Sequence, residues 1–208
     1  AINITGARAV AEQASRAQVK RLIHISALGI EQVDARYAVT KRAGEVAVRT
    51  VFPQATILRP SLIIGEGDGF FGRFLPMSKY SPFLPLIDHG RTLFQPVLAS
   101  DVADAIFNAM TTDASAGCTY AIAGPQVFSF KALLELMLRV AGRKRLLLYV
   151  PTTIARCLGA VCERLPMVPV ITRDQVRMLA CNSIDDGTLP GLKDLGITPR
   201  SIGDGLNF

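Results

Sequence analysis

A helix followed by a short apolar run occurs twice in the first sixty residues, and this order constrains the fold more than any other feature of the sequence. Residues 3–16 have a helical pattern and lead into the apolar run 19–26. Residues 36–51 repeat the pattern, Pro53 ends it, and residues 55–59 form a second run. Short apolar runs without polar alternation are typical of parallel strands covered on both faces. The sequence therefore predicts an α/β fold, with a parallel sheet and helices on both faces.

The segment between residues 60 and 95 is rich in residues that interrupt regular structure. These residues are Gly65, Gly67, Gly69, Gly72, Pro76, Pro82 and Pro85. They predict a long loop, and long loops in compact domains often hold ligands. The remaining predicted elements are a strand over 92–97, a helix over 101–110 with Ser100 as its N-cap, a strand over 119–122, a helix over 130–141 with Ser129 as its N-cap, a strand over 146–150, and helices over 152–164 and 172–180.

The charge balance indicates an anionic partner. Lys and Arg number 23 against 17 Asp and Glu, which gives a net charge of +6 and leaves a nucleotide, an acidic membrane surface or a nucleic acid as candidates. The chain has no Trp and four Tyr, and no basic run is interleaved with aromatic residues, so no nucleic acid partner is expected. No apolar run reaches the length of a spanning helix, and the first residues lack the pattern of a signal peptide, so neither is expected.

The cysteines are predicted to be structural. They are Cys118, Cys157, Cys162 and Cys181. They show no C-x-x-C spacing, and the only histidines are His24 and His89. We therefore expect four buried thiols that pack as small hydrophobic side chains, and no metal site.

Tyr37 and Lys41 are the first candidates for chemistry. The spacing Tyr-x-x-x-Lys on a predicted helix places a phenol and an ammonium on one face. A nearby ammonium stabilises the phenolate, which lets a Tyr act as an acid or base near neutral pH. The spacing alone is common by chance and usually marks surface residues. Its position after a strand that ends at Ser26 and before one that ends at Pro60 favours a functional pair.

At this point the sequence resembles the extended and atypical short-chain dehydrogenases/reductases. The matching segments are HIS at 24–26, YAVTK at 37–41, GE at 44–45 and RPSLIIG at 59–65. The resemblance implies a Rossmann-like parallel sheet in residues 1–125, with a cleft loop over 60–95, and a small, mostly helical region in residues 126–208. It implies Ser26, Tyr37 and Lys41 as catalytic residues, active or vestigial. It also implies that these three residues, with Pro60 and Ser61, border the nicotinamide, and that Lys41 reaches its ribose.

Two departures from that family weaken the hypothesis that this chain is an active enzyme. The family's Ser or Thr lies slightly beyond the strand end, where this chain has Ala27 and Leu28, so Ser26 either takes that role or only satisfies the strand end. The family's glycine-rich turn for the pyrophosphate is absent. Residues 67–72 fit G-x-G-x-x-G, but the prolines that follow are expected to prevent the required helix. A cofactor is therefore expected only if an N-terminal portion is present.

Segments in the second half resemble a narrower group, the nucleotide-binding accessory subunits of respiratory complex I. They are QPVLASDVADAI at 95–106, YAIAGP at 120–125, VITRDQV at 170–176 and LPGLKDLGI at 189–197. The resemblance implies a structural subunit that holds NADPH (or NADH), supports assembly with other complex I subunits, and lies peripherally on the matrix side of the inner mitochondrial membrane or the cytoplasmic side of a bacterial membrane. The alternatives are an active NAD(P)-dependent reductase, epimerase or dehydratase that uses Tyr37 and Lys41, and a truncated product that holds no dinucleotide.

A basic and apolar surface is also predicted in the C-terminal region. Its cations are Arg139, Arg143, Lys144, Arg145, Arg156, Arg164, Arg173 and Arg177. Such a surface can lie against anionic lipid headgroups, or it can be an ordinary helical cap with solvated arginines, and only the resemblance favours the membrane. Asp101 is expected to cap or pack its helix, and Asp174 to lie at a helix start.

Overall fold

The computed structural model describes residues 2–151, 153, 154 and 172–204. Its strands are β1 (Ile23–Ile25), β2 (Thr56–Pro60), β3 (Ile63–Ile64), β4 (Phe83–Ile87), β5 (Leu93–Phe94), β6 (Val97–Leu98), β7 (Thr119–Ile122), β8 (Phe128–Ser129) and β9 (Leu146–Val150). Its helices are α1 (Ala7–Arg16), α2 (Arg36–Val51), α3 (Phe71–Tyr80), α4 (Ala99–Thr111), α5 (Phe130–Val140) and α6 (Arg173–Leu179). A π-helical turn (Ile2–Gly6) precedes α1, and short 3₁₀ turns join several elements.

The central sheet has three parallel strands in the order β1-β2-β7. Successive strand residues point to opposite faces. Leu58 and its neighbours on one face pack against α4, while Arg59 on the other face binds Glu45 of α2. The predicted parallel sheet with helices on both faces is therefore confirmed. Among the described strands, β1 pairs only with β2 and lies at the edge of this sheet.

The prediction of a long loop over 60–95 is wrong. The segment contains β3, α3 and β4, and its glycines lie mostly before α3. Helix α3 forms because Phe71 and Phe74 are buried on one of its faces. Burying two such rings contributes about 3 to 6 kcal/mol, which offsets the ~3 kcal/mol cost of the interior Pro76, an exposed residue of this helix.

Long-range packing joins this segment to the C-terminal region. Strand β4 pairs in parallel with β9, and β5 pairs antiparallel with β8. The aromatic rings of Phe70, Phe74 and Phe130 contact one another in one core cluster. The predicted C-terminal region therefore contains strands as well as helices, and the division at residue 125 stays a prediction.

Several smaller predictions have mixed outcomes. Ser129 is an N-cap, because its hydroxyl accepts the Ala132 amide. Ser100 is not an N-cap, because α4 begins one residue before it and Leu98 is at the N-cap position.

Cys118 and Cys181 are only half-buried, so their predicted full burial is wrong. The two other cysteines, Arg156, Arg164 and all of the predicted helix over 152–164 except residues 153 and 154 lie outside the described residues.

No helix in the described part of the chain is long and apolar enough to span a membrane. Across the same residues, no group of three or more His, Cys, Asp or Glu side chains is arranged to hold a metal ion.

Candidate cofactor and ligand site

A cavity of about 460 Å³ lies at the carboxyl ends of β1 and β2. All five residues proposed from the sequence line it: Ser26, Tyr37, Lys41, Pro60 and Ser61. Ser26 follows β1, Pro60 and Ser61 lie at the end of β2, and α2 supplies the other two. Parallel strands place their carboxyl ends at one edge, where ligands of open α/β sheets bind. The structure therefore brings the predicted site residues together.

Lys41 is turned towards the backbone of β1 rather than the phenol. Its Nζ donates a hydrogen bond to the Ile25 carbonyl at 2.9 Å and lies 5.8 Å from the centre of the Tyr37 ring. Burial raises the pKa of Tyr37, whereas burial lowers the pKa of Lys41 and nearby Glu45 opposes that change. In this arrangement burial raises the pKa of Tyr37, and the expected lowering of that pKa by Lys41 is not seen.

Ser26 has a buried hydroxyl without a partner. Its side chain is almost fully buried, and its Oγ makes no hydrogen bond to any described residue. The backbone amide of Ser26 donates to the Leu58 carbonyl at 2.7 Å, so the hydroxyl is not needed to satisfy the strand end. Leaving such a group unpaired costs about 1 to 3 kcal/mol. The orphaned hydroxyl is consistent with a polar group of a ligand in this cavity, such as the nicotinamide end of a dinucleotide.

Ser61 is already engaged within the protein. Its Oγ donates to the Ser183 carbonyl at 2.7 Å and accepts the Gln95 amide at 3.3 Å. These bonds hold the segment after α6 against the end of β2. Because the Ser61 hydroxyl is engaged in these bonds, the predicted contact of Pro60 and Ser61 with a cofactor would be made by their backbone atoms.

Asp174 caps the helix that carries Tyr37, a role that sequence reasoning missed. Its two carboxylate oxygens accept the backbone amides of Arg36 at 2.7 Å and of Tyr37 at 3.0 Å. Helix α2 has Ala35 at its N-cap position and no side-chain cap of its own, so the carboxylate satisfies amides that would otherwise lack a partner. The absence of a capping residue at Ala35 was the one local signal that could have indicated a distant cap. Asp174 also lies in the first turn of α6, as predicted.

The other motif residues are structural. Arg59 forms a two-point ion pair with Glu45, at 2.9 and 2.6 Å, and binds Glu31 at 2.8 Å. Asp101 is completely buried, as its predicted packing role requires, and accepts hydrogen bonds from the backbone amide and the guanidinium of Arg200.

The G-x-G-x-x-G segment is not a phosphate site, although the predicted reason was wrong. A helix does follow it, α3, in spite of the prolines. The Asp68 carboxylate accepts the amides of Phe70 at 2.7 Å and Phe71 at 2.6 Å, at the start of that helix. A carboxylate of the chain thus occupies the place where a phosphate would bind.

The predicted basic surface is only partly available. Arg143 donates to the Leu75 carbonyl and the Ser78 hydroxyl, and Arg145 donates to the Ser78 carbonyl, so both hold the end of α3. Leu146, Leu148 and Tyr149 of β9 remain exposed, and Arg139 and Lys144 are also exposed to solvent.

Comparisons with solved structures identify the fold. No family model matches the chain. MoeE5 in complex with UDP-glucuronic acid and NAD is similar over 98% of this chain and 68% of that chain, with a TM-score of 0.72 and 16% identity. DesIV, a dTDP-glucose 4,6-dehydratase from Streptomyces venezuelae, covers 98% of this chain with a TM-score of 0.69 and 18% identity. The chain has the Rossmann-type fold of NAD-dependent epimerases and dehydratases.

Comparisons with curated sequences identify a smaller group of relatives within this fold class. The chain is 33% identical over 199 residues to NADH dehydrogenase [ubiquinone] 1 alpha subcomplex subunit 9 of Mus musculus, covering 94% of this chain and 52% of the relative. The Arabidopsis thaliana subunit is 32% identical over 194 residues, covering 88% and 48%. A ceramide reductase of Caulobacter vibrioides is 42% identical over 87 residues, which is 41% of this chain and 27% of that relative. The chain is a homologue of the alpha subcomplex subunit 9 proteins of complex I, as the sequence motifs predicted, and it spans about half the length of these mitochondrial relatives.

Proposed function

We propose that this chain belongs to an accessory subunit of respiratory complex I that holds a nicotinamide dinucleotide for structural stability rather than turnover. The observation that carries the proposal is the identity of 33% to the mouse subunit over nearly the whole chain. A holding role is supported because the Lys41 ammonium is bonded to the Ile25 carbonyl and lies 5.8 Å from the centre of the Tyr37 ring. Ala27 and Leu28 provide no hydroxyl beyond Ser26 to orient a substrate.

The proposed cofactor is NADPH (or NADH), bound only with an N-terminal portion of the subunit. The described residues fit the nicotinamide end, through the orphaned Ser26 hydroxyl and the Lys41 ammonium, and lack a phosphate-binding turn. A bound dinucleotide would supply hydride chemistry, and Ser26, Tyr37 and Lys41 would orient its nicotinamide and ribose. A second cavity of about 380 Å³ adjoins the edge strand, where His24 and Lys41 line it with apolar residues of α1 and α2. This surface could accommodate the portion that completes the sheet.

The proposed partners are other complex I subunits and anionic lipid at the membrane surface. The exposed apolar residues of β9 and the exposed Arg139 and Lys144 support a lipid contact, since each cation near an anionic surface contributes about 1 kcal/mol. The proposed location is peripheral, on the matrix side of the inner mitochondrial membrane or the cytoplasmic side of a bacterial membrane.

Blue-native electrophoresis of gently solubilised membranes tests this assignment. Peptides of this chain, located by mass spectrometry, should migrate with NADH:ubiquinone oxidoreductase activity. A tagged Tyr37→Phe variant should migrate in the same way and leave that activity unchanged. Recovery of the chain only in the soluble fraction, at the mass of a monomer or dimer, would contradict the subunit assignment.

An active NAD(P)-dependent reductase is the second candidate. It is favoured by the convergence of Ser26, Tyr37 and Lys41 on one cavity and by the 42% identity to a ceramide reductase over 87 residues. In that case the soluble protein would oxidise NADPH with a carbonyl substrate. Tyr37→Phe would then abolish the oxidation, because the acid that protonates the product would be lost.

A further inference from the structure

The inner part of the cavity beside Tyr37 is apolar. Its apolar walls come from four parts of the fold and are formed by Leu62, Ile63, Phe70, Phe74, Met77, Pro85, Met178 and Leu179. Polar side chains are confined to the end near the strands, apart from Arg73 and Gln175. A third cavity, of about 200 Å³, shares Met178 and Leu179 with it and extends towards Phe94. The combined space is in the size range of small-molecule sites.

Helix α3 presents an amphipathic face to this cavity. Arg73, Phe74 and Met77 of α3 line the cavity on one side of the helix, and Phe70, at the N-cap position, lines it as well. The Arg73 side chain is half-buried and has no ion-pair or hydrogen-bond partner within the part of the chain that the structure describes. Among the residues that the structure describes, no Asp or Glu lines the cavity. An unpaired cation beside apolar walls suits a ligand that carries one negative charge next to a hydrocarbon chain.

We propose that this cavity binds an amphipathic ligand, an acyl chain of a fatty acid or lipid whose anionic head pairs with Arg73. Met77 and Met178 favour such a chain, because Met side chains adapt to flexible apolar ligands. A sugar nucleotide fits poorly, since each hydroxyl buried against these walls would lose its hydrogen bonds with water and find no replacement. The proposal rests on the proposed function only in that the ligand would share the cavity with the nicotinamide, which would lie at the end near the strands.

Binding is tested with the 208-residue chain and with the longer subunit, using the fluorescent acid 11-(dansylamino)undecanoic acid as the probe. Palmitate should displace it, and UDP-glucuronic acid should not. Lysophosphatidic acid is compared with palmitate to separate a phospholipid-type head from a free fatty acid. Displacement by UDP-glucuronic acid, or failure of both lipids to compete, would overturn the proposal.

Two variants connect binding to the cavity. Arg73→Gln should weaken palmitate roughly tenfold and leave the neutral hexadecanol unchanged, because one charge-assisted hydrogen bond is lost. Lys79→Gln, on the same helix and outside the cavity lining, is the matched control and should have no effect. Met77→Trp should abolish probe binding by filling the space. Equal effects of the Arg73 and Lys79 variants, or full binding by Met77→Trp with an unchanged melting temperature, would show adsorption to the surface.

NADPH binding to the longer subunit is measured separately by nicotinamide fluorescence. A failure there would count against the cofactor proposal alone, while a failure of the lipid titration would count against this inference alone.

Discussion

Asp174 connects two helices that are distant in the sequence, and one of them carries Tyr37. Its carboxylate holds the start of α2, while α6, its own helix, contributes Gln175, Met178 and Leu179 to the cavity. The position of Tyr37 and the wall of the ligand cavity are therefore fixed by the same contact.

We expect Asp174→Asn to lower the free energy of unfolding by about 1 kcal/mol, within the range for loss of a helix cap. The amide side chain keeps one acceptor oxygen and loses both the second acceptor and the charge that favours a helix N-terminus. Urea denaturation measures the change. Glu135→Gln, which removes an exposed ion pair with Lys131 on α5, is the control and should cost less than about 0.5 kcal/mol. Equal costs for the two variants would contradict the capping role.

The elements of the fold differ in how strongly local sequence determines them. Ser129 and Ser100 were both predicted to be N-caps, yet only Ser129 precedes its helix and accepts an amide from it. Ser100 lies inside the first turn of α4, since that helix starts directly after the buried strand β6.

This difference gives a paired prediction for α5 and α4. Ser129→Ala should lower the free energy of unfolding by about 1 kcal/mol, because the cap bond to Ala132 is lost. Ser100→Ala should change it by less than about 0.5 kcal/mol or raise it slightly, because Ala is the better helix former inside a helix. Thermal unfolding followed by circular dichroism compares the two. A larger loss for the Ser100 variant would show that the helix start is assigned incorrectly.

Local pattern predicted α2, the strands that precede and follow it, and the Tyr37 and Lys41 pair, whereas the family resemblance predicted the other residues of the site. The bounds of α2 agree with the sequence prediction because its apolar spacing and the following Pro53 are local signals. Helix α3 could not be predicted in this way, because it depends on Phe130 and other residues far along the chain that bury its rings. The Asp174 cap escaped prediction for the same reason, since it joins positions 137 residues apart.

At the scale of the whole molecule, we propose that the dinucleotide site is divided between this chain and a portion upstream of it. The nicotinamide side has its candidate residues, whereas the only G-x-G-x-x-G segment is closed by Asp68. The chain covers about half of its relatives' length, 52% for the mouse subunit.

On this proposal, we expect this 208-residue chain to bind NADPH at least a hundredfold more weakly than a protein extended upstream of Ala1, because the described residues offer no free helix N-terminus after a glycine-rich turn to hold a pyrophosphate. Isothermal titration calorimetry of both proteins measures the difference. In the longer protein, Ser26→Ala should weaken NADPH binding. Thr111→Ala, on α4 away from the cavity lining, should leave the affinity of that protein for NADPH unchanged. Equal affinity of the two proteins would refute the divided site.

The contact between Asp174 and α2 also has a consequence for the order in which the molecule matures. A ribosome makes the Tyr37 helix long before it makes the carboxylate that closes the end of that helix, since the two are separated by 137 residues. Nascent chains fold from the N-terminal end while synthesis continues. The first turn of α2 must therefore wait, with its amides open to water, until α6 has left the exit tunnel. The pocket around Tyr37 can therefore be completed only after residue 174 has been synthesised.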